Sequence, residues 1–227
     1  MRATAMSGSR TTTLVAGLAV VGTVLLDPAV LRGIRIQPTP DIESTLVLQG
    51  PLVDLAQVLL VLVAAVVLAC GMRGEPGLLR ASRAAGAAAL VAAVATAAVA
   101  GWRTLVAPSA SADGIVPPGV AALSTALDAV QGTAVVVLAL LVFRRRLLEP
   151  PARVPLLVLG LSWGAYLLLV PVIGMLAAGD GGSSLILPLL VFPGLVVAAS
   201  AALGVGLLVH GRSAAMRARA ERIRRAW

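Results

Sequence analysis

Asp54 with Gln57, and Asp128 with Gln131, are the residues of this chain best placed to do chemistry. Each pair stands at i, i+3, which puts both side chains on one face of a helix. All four sit inside long apolar runs. An aspartate at the centre of a bilayer costs ~2.5–3.5 kcal/mol on insertion scales, and less near the interface. These acids are therefore expected to face a helix bundle or a wet vestibule rather than lipid. Three arrangements meet that requirement. Either acid pairs with Arg103, at the end of the third apolar segment, while the glutamines bond neighbouring helices. The two acids instead form a cation or proton site that opens outward. Or one or both simply reach interfacial water.

The segments that position them number six, at about 12–26, 52–72, 84–101, 120–143, 154–178 and 185–210. At ~1.5 Å per residue, most are long enough to cross a hydrocarbon core of ~30 Å. None alternates polar and apolar residues as a barrel strand would. Arginine distribution orients them. Arg2 and Arg10 precede the first segment, Arg73, Arg80 and Arg83 follow the second, Arg144, Arg145, Arg146 and Arg153 follow the fourth, and Arg212, Arg217, Arg219, Arg222, Arg224 and Arg225 trail the sixth. The remaining gaps hold only Arg32, Arg35 and Arg103, beside Asp27, Asp41, Glu43, Asp113 and Asp180. Short arginine-rich loops stay in the cytoplasm. The expected fold is an all-α, polytopic integral membrane bundle of six transmembrane helices with both termini cytoplasmic. Residues 1–211 form the membrane domain and 212–227 a basic tail. The first segment could also serve as a secretory signal, but no Ala-x-Ala follows it, and an uncleaved helix is the better reading.

Composition agrees. The chain is 59% hydrophobic and 12% charged with mean hydropathy +1.00, which excludes an ordinary soluble domain. The formal charge of +8 serves topology and contact with anionic lipid at the cytoplasmic leaflet, not nucleic acid, since no reading module accompanies it. Every basic residue is arginine, and with the Ala, Gly, Val and Leu excess this is the GC-rich coding bias of many actinobacteria. A multi-pass protein of a bacterial cell membrane is the expectation.

An offset of 74 residues superimposes Asp54 on Asp128, Gln57 on Gln131, Glu75-Pro76 on Glu149-Pro150 and Gly86 on Gly160. A parallel duplication of a helix pair and a chance match both explain it. Asp54 precedes Arg73 by nineteen residues and Asp128 precedes Arg144 by sixteen, which sets both carboxylates roughly 24–28 Å from the arginines, in the outer part of the bilayer. Pro171, and Pro188 with Pro193-Gly194, are expected to kink or interrupt the fifth and sixth helices. Gly86 with the alanines up to Ala100, and Ser200, Ala202, Gly204 and Gly206, supply small faces for close helix packing. Met216, Ala220, Ile223 and Trp227 recur every three or four residues along the tail, a stripe suited to the inner leaflet.

The absences narrow the chemistry. Cys70 cannot make an internal disulfide and reads as a small buried packing residue. His210, beside Gly211 and Arg212, reads as an interfacial helix-end residue. No His-Glu-x-x-His, Gly-x-Ser-x-Gly or Walker-type loop is present. No enzymatic activity, cofactor or metal site is expected. The function that follows is a sensory, regulatory or accessory subunit acting through membrane partners or a second copy of itself. The alternative is a small transporter or channel-like protein with a proton or cation site at Asp54 and Asp128. A solvent-connected cavity reaching both carboxylates separates the two.

Overall fold

The computed structural model describes residues 10–27, 30, 51–105, 118–177 and 186–226. Among them the chain is all helix: α1 (Arg10–Leu25), α2 (Pro51–Cys70), the short α3 (Leu78–Ala81), α4 (Arg83–Leu105), α5 (Pro118–Arg145), α6 (Pro150–Ala177) and α7 (Ile186–Ala226). The acidic loop residues Asp41, Glu43, Asp113 and Asp180 lie outside the described residues, as do Arg2, Arg32, Arg35 and Trp227.

Five helices, α2, α4, α5, α6 and α7, are long and apolar enough to cross a membrane. The apolar α1, at 16 residues, is shorter. Local chemistry sets the ends. Proline opens α2, α5 and α6, where its missing N–H would have no intrahelical partner anyway. The alanine run of α4 is the best of helix formers. After α2 the chain reverses through Gly71 (φ 82°), Arg73 (φ 51°) and Gly74 (φ 79°). A Cβ on Gly71 would collide with the carbonyl of Glu75, so only glycine lets the turn close there.

The long helices form a ring in chain order. α1 packs on α2, α2 on α4, α4 on α5, α5 on α6 and α6 on α7, and α7 returns to close on α1. Neighbours run antiparallel. Gln57, early in α2, bonds Thr23, late in α1, while the loop after α2 bonds the start of α1. The seam between α1 and α7 is made by glycine. A Cβ on Gly17 would lie 2.9 Å from the carbonyl of Gly204, and one on Gly204 would lie 2.8 Å from Val21. Farther along, Gly211 meets Leu14 and the carbonyl of Arg10. Gly206 abuts Pro151 at the start of α6, so the small residues of α7 pack inside this chain on both flanks.

The core is uneven along the ring axis. Ala16, Leu78, Ala85, Ala139, Val142, Leu148, Leu156 and Leu207 form one buried cluster, and all lie in the arginine-rich loops or in the half of their helices nearer them. Outward faces carry exposed apolar side chains such as Leu52, Val94, Leu161 and Leu168, the surface that lipid would cover. The opposite half of the ring interior is less filled.

Two expectations change, and a third changes in part. Of the kink or interruption expected at the prolines, the interruption is absent: α6 continues through Pro171, and α7 through Pro193. Pro188 falls in the first turn of α7, where no intrahelical donor is lost. The basic tail is helical as its spacing suggests, and it continues α7, which runs unbroken for 41 residues from Ile186 to Ala226. Nothing local ends a helix of Ala, Met and Arg. Cys70 is exposed on the last residue of α2. His210 is fully buried, since the α7 face carrying it turns toward α6.

The seam predicts a contrast between two identical changes. Gly204→Ala places a methyl against Val21 and is expected to destabilise by about 1–3 kcal/mol. Gly194→Ala meets nothing within 4 Å and is expected to leave stability unchanged or raise it by up to about 1 kcal/mol. Thermal unfolding of the two variants in the same detergent checks the sign of each.

Candidate functional site

In the less filled half of the ring the helices enclose a partly open cavity of about 410 Å³. Asp54 and Gln57 reach it from α2, Asp128 and Gln131 from α5, Thr96 from α4 and Trp163 from α6, with Asp27 at the end of α1. Val58, Val61, Val99 and Ala100 complete an apolar wall. The four residues singled out by spacing thus share one space. Each acid is half-buried.

The two glutamines do the same job one hairpin apart. Gln57 donates its amide N–H to the carbonyl of Thr23 on α1, at 3.2 Å. Gln131 donates to the hydroxyl of Thr96 on α4, at 2.9 Å. That hydroxyl donates in turn to the carbonyl of Ala92, at 2.8 Å. Each amide pins its helix to the one before it and fixes the rotation that turns the aspartate inward. Asp54 has no hydrogen bond or ion pair among the described residues. Arg103 lies in the last turns of α4, and its side chain is outside the described residues, so its pairing with either acid is not placed.

Three cavity residues escaped sequence reasoning. Asp27 reads as a loop acid, and Trp163 as an ordinary membrane-helix aromatic. Thr96 had a signal: it is the lone polar residue between Arg83 and Trp102.

The other matched pair, Glu75 and Glu149, holds the two helices of the seam. Glu75 caps α1: its Oε1 accepts the N–H of Thr11 at 2.8 Å and its Oε2 that of Thr12 at 2.7 Å. The Thr12 hydroxyl accepts the N–H of Met72 in return, at 2.9 Å. A carboxylate here satisfies two amides that have no partner in the helix and faces the positive end of the helix dipole. Glu149 holds α7: its Oε2 accepts from the Ser213 hydroxyl at 2.9 Å and lies 3.2 Å from Nδ1 of buried His210. His210 is therefore a packing partner of the loop before α6, a role its isolated position in the sequence did not reveal.

Along the tail, Arg212, Arg219 and Arg224 are exposed; the side chains of Arg217, Arg222 and Arg225 lie outside the described residues.

No protein-family model, curated protein or solved structure matches this chain. Its function has to be read from the cavity itself.

Burial pushes the Glu75 carboxyl up, but the N–H groups of Thr12 and Thr11 together outweigh it and hold the group below its ordinary value of 4.5. The sign follows: the carboxylate's stabilisation is present in full above the ordinary value and is lost as pH falls through the lower folded-state value. Acid unfolding should therefore begin below about pH 4.5. Glu75→Gln, which keeps one acceptor, is expected to cost about 1–2 kcal/mol at neutral pH and to flatten that acid limb. Melting temperature measured against pH for both forms checks it.

Proposed function

We propose that this chain is a six-span membrane protein with both ends in the cytoplasm, which takes a small cation from the outer side into the cavity at Asp54 and Asp128 and passes it across the membrane. One observation carries the reading: two acids and two amides, chosen by spacing alone, line a single partly open cavity instead of being sealed by packing. A regulatory subunit that used these acids only to lock its helices together would have no need of a space at them. The helices that carry them cannot turn them to lipid without a cost of kcal/mol per carboxylate.

The arginine-rich ends support the orientation. The turn at residues 71–82, the loop at 146–149 and the start of α1 all gather at the filled end of the ring, which supports a cavity in the outer half. α1 supports a sixth span, because it is packed between α2 and α7 along its length and Asp27 at its end reaches the cavity. Arg212, Arg219 and Arg224, on the last turns of α7, are available to anionic lipid headgroups at the inner surface.

The flux test uses Asp54→Asn and Asp128→Asn. Both are expected to give folded protein in near wild-type yield, because each amide keeps the carboxylate's shape and one acceptor oxygen at the wall of a partly open cavity. Both should lower cation-dependent flux in proteoliposomes at least about tenfold, as removal of an intramembrane charge from a transport path should. Wild-type flux in both variants would refute the proposal. Collapse of folded yield in both, with rescue by hydrophobic replacement, would make the acids structural.

A topology test accompanies it. With Cys70 replaced by Ser, Arg145→Cys should react with an impermeant thiol reagent only after cells are permeabilised. Labelling of intact cells would invert the assignment.

A further inference from the structure

We propose that the cation is an organic ammonium, seated between the Asp128 carboxylate and an aromatic wall made by Trp163, Tyr166 and Phe192. This rests on the cavity reading above and names its substrate class.

The chain is poor in aromatic residues, with three Trp, one Tyr and two Phe in 227. Half of them meet at one place. Trp163 and Tyr166 pack edge to face with ring centroids 5.8 Å apart, and Tyr166 and Phe192 likewise at 6.3 Å. Together with Pro193 and Val196 they enclose a second cavity of about 250 Å³. Asp128 and Trp163 line both cavities, so the two spaces adjoin at a carboxylate and an indole.

The indole is placed by the helix that carries the acid. Gly132 lies four residues after Asp128, on the same face of α5. A Cβ at Gly132 would stand 2.9 Å from Cε3 of Trp163, so the glycine lets the indole lie against α5 one turn from the carboxylate. Trp163 is on α6, and Phe192 comes from α7, so three helices converge on this point.

The alternatives of a bare metal ion and a proton fit less well. Calcium takes six to eight oxygens at about 2.3–2.6 Å and magnesium six at about 2.0–2.1 Å. Among the described residues no three acidic, His or Cys side chains converge closely enough to hold a metal ion, although three aspartates line the larger cavity. A proton needs neither the volume nor the rings. An ammonium with organic substituents uses every part. Its charge faces Asp128, with Asp54 across the larger cavity. Its polarised methylene groups lie on the negative faces of the rings, of which tryptophan is the best. Its hydrocarbon meets Val58, Val61 and Val196.

The test measures equilibrium binding of labelled tetraethylammonium to the full chain in lipid nanodiscs. A permanent charge without donors cannot bind through hydrogen bonds, so its affinity reports the carboxylate and the rings. Binding is expected, with the uncharged carbon isostere failing to compete. Asp128→Asn and Trp163→Leu should each weaken binding about tenfold or more, and Phe192→Leu less so. Should Trp163→Leu fail to fold, Phe192→Leu and Tyr166→Leu carry the aromatic arm. Equal competition by the carbon isostere would reduce the site to an apolar hole and overturn the proposal. Sodium or proton flux that needs Asp54 and Asp128, with no tetraethylammonium binding by folded protein, would overturn the aromatic site and leave the cavity reading standing. Neither flux nor binding of any cation by folded protein would overturn both.

Discussion

The carboxylate of Glu75 is the contact on which the rest of the arrangement depends. It holds the first free amides of α1 at the turn after α2, and α1 is the helix whose return to α7 closes the ring. Without that closure α2 and α7 would face each other across a gap, and the space at Asp54 would open to whatever surrounds the bundle. Glu149 acts on the other side of the seam, through Ser213 and His210 of α7. Two glutamates in matched loops thus grip the two terminal helices of the ring, and glycines at 17, 204 and 211 let those helices meet. The holding groups are polar at the ends and small in the middle, as expected where lipid gives helices no hydrophobic reason to associate.

The same ring is filled at one end and hollow at the other. Alanine, leucine and valine from α1, α3, α4, α5, α6 and α7 close the arginine-rich half. In the other half Gln57 and Gln131 use their amides to reach the helix before them, and their aspartates are left beside a space. Helix rotation is the link between these facts. A residue three positions from a fixed glutamine has little freedom in where it points, so the amides decide that both carboxylates look inward.

Much of this was legible in the sequence and some was not. The Asp-x-x-Gln spacing found the residues of one cavity, because a shared helical face is a local property. The apolar runs marked the helices to within a few residues, except where they meet arginine-rich chain: α6 begins at Pro150 and α7 runs on to Ala226. Pro171 and Pro193 read as kinks or breaks, yet α6 and α7 continue through them. His210 read as an interfacial helix-end residue, since nothing local announces that Glu149, sixty-one positions earlier, turns back to meet it. Trp163, Tyr166 and Phe192 were unremarkable for the same reason: they converge only once α6 and α7 pack. The 74-residue register gains a physical content it lacked as a pattern. Its glutamines make equivalent bonds to the preceding helix, but its glutamates grip different partners.

If Asp54 and Asp128 border one water-filled space inside the ring, thiols placed beside them are accessible from outside. With Cys70 replaced by Ser, Gln57→Cys and Gln131→Cys are each treated in intact cells with a small, charged, membrane-impermeant thiol reagent, beside Leu59→Cys and Val130→Cys on outward, lipid-type faces. The account predicts that positions 57 and 131 react from outside, that a tetraalkylammonium slows both, and that 59 and 130 do not react. Inert thiols at 57 and 131 in folded protein, or reaction at all four positions alike, would contradict it.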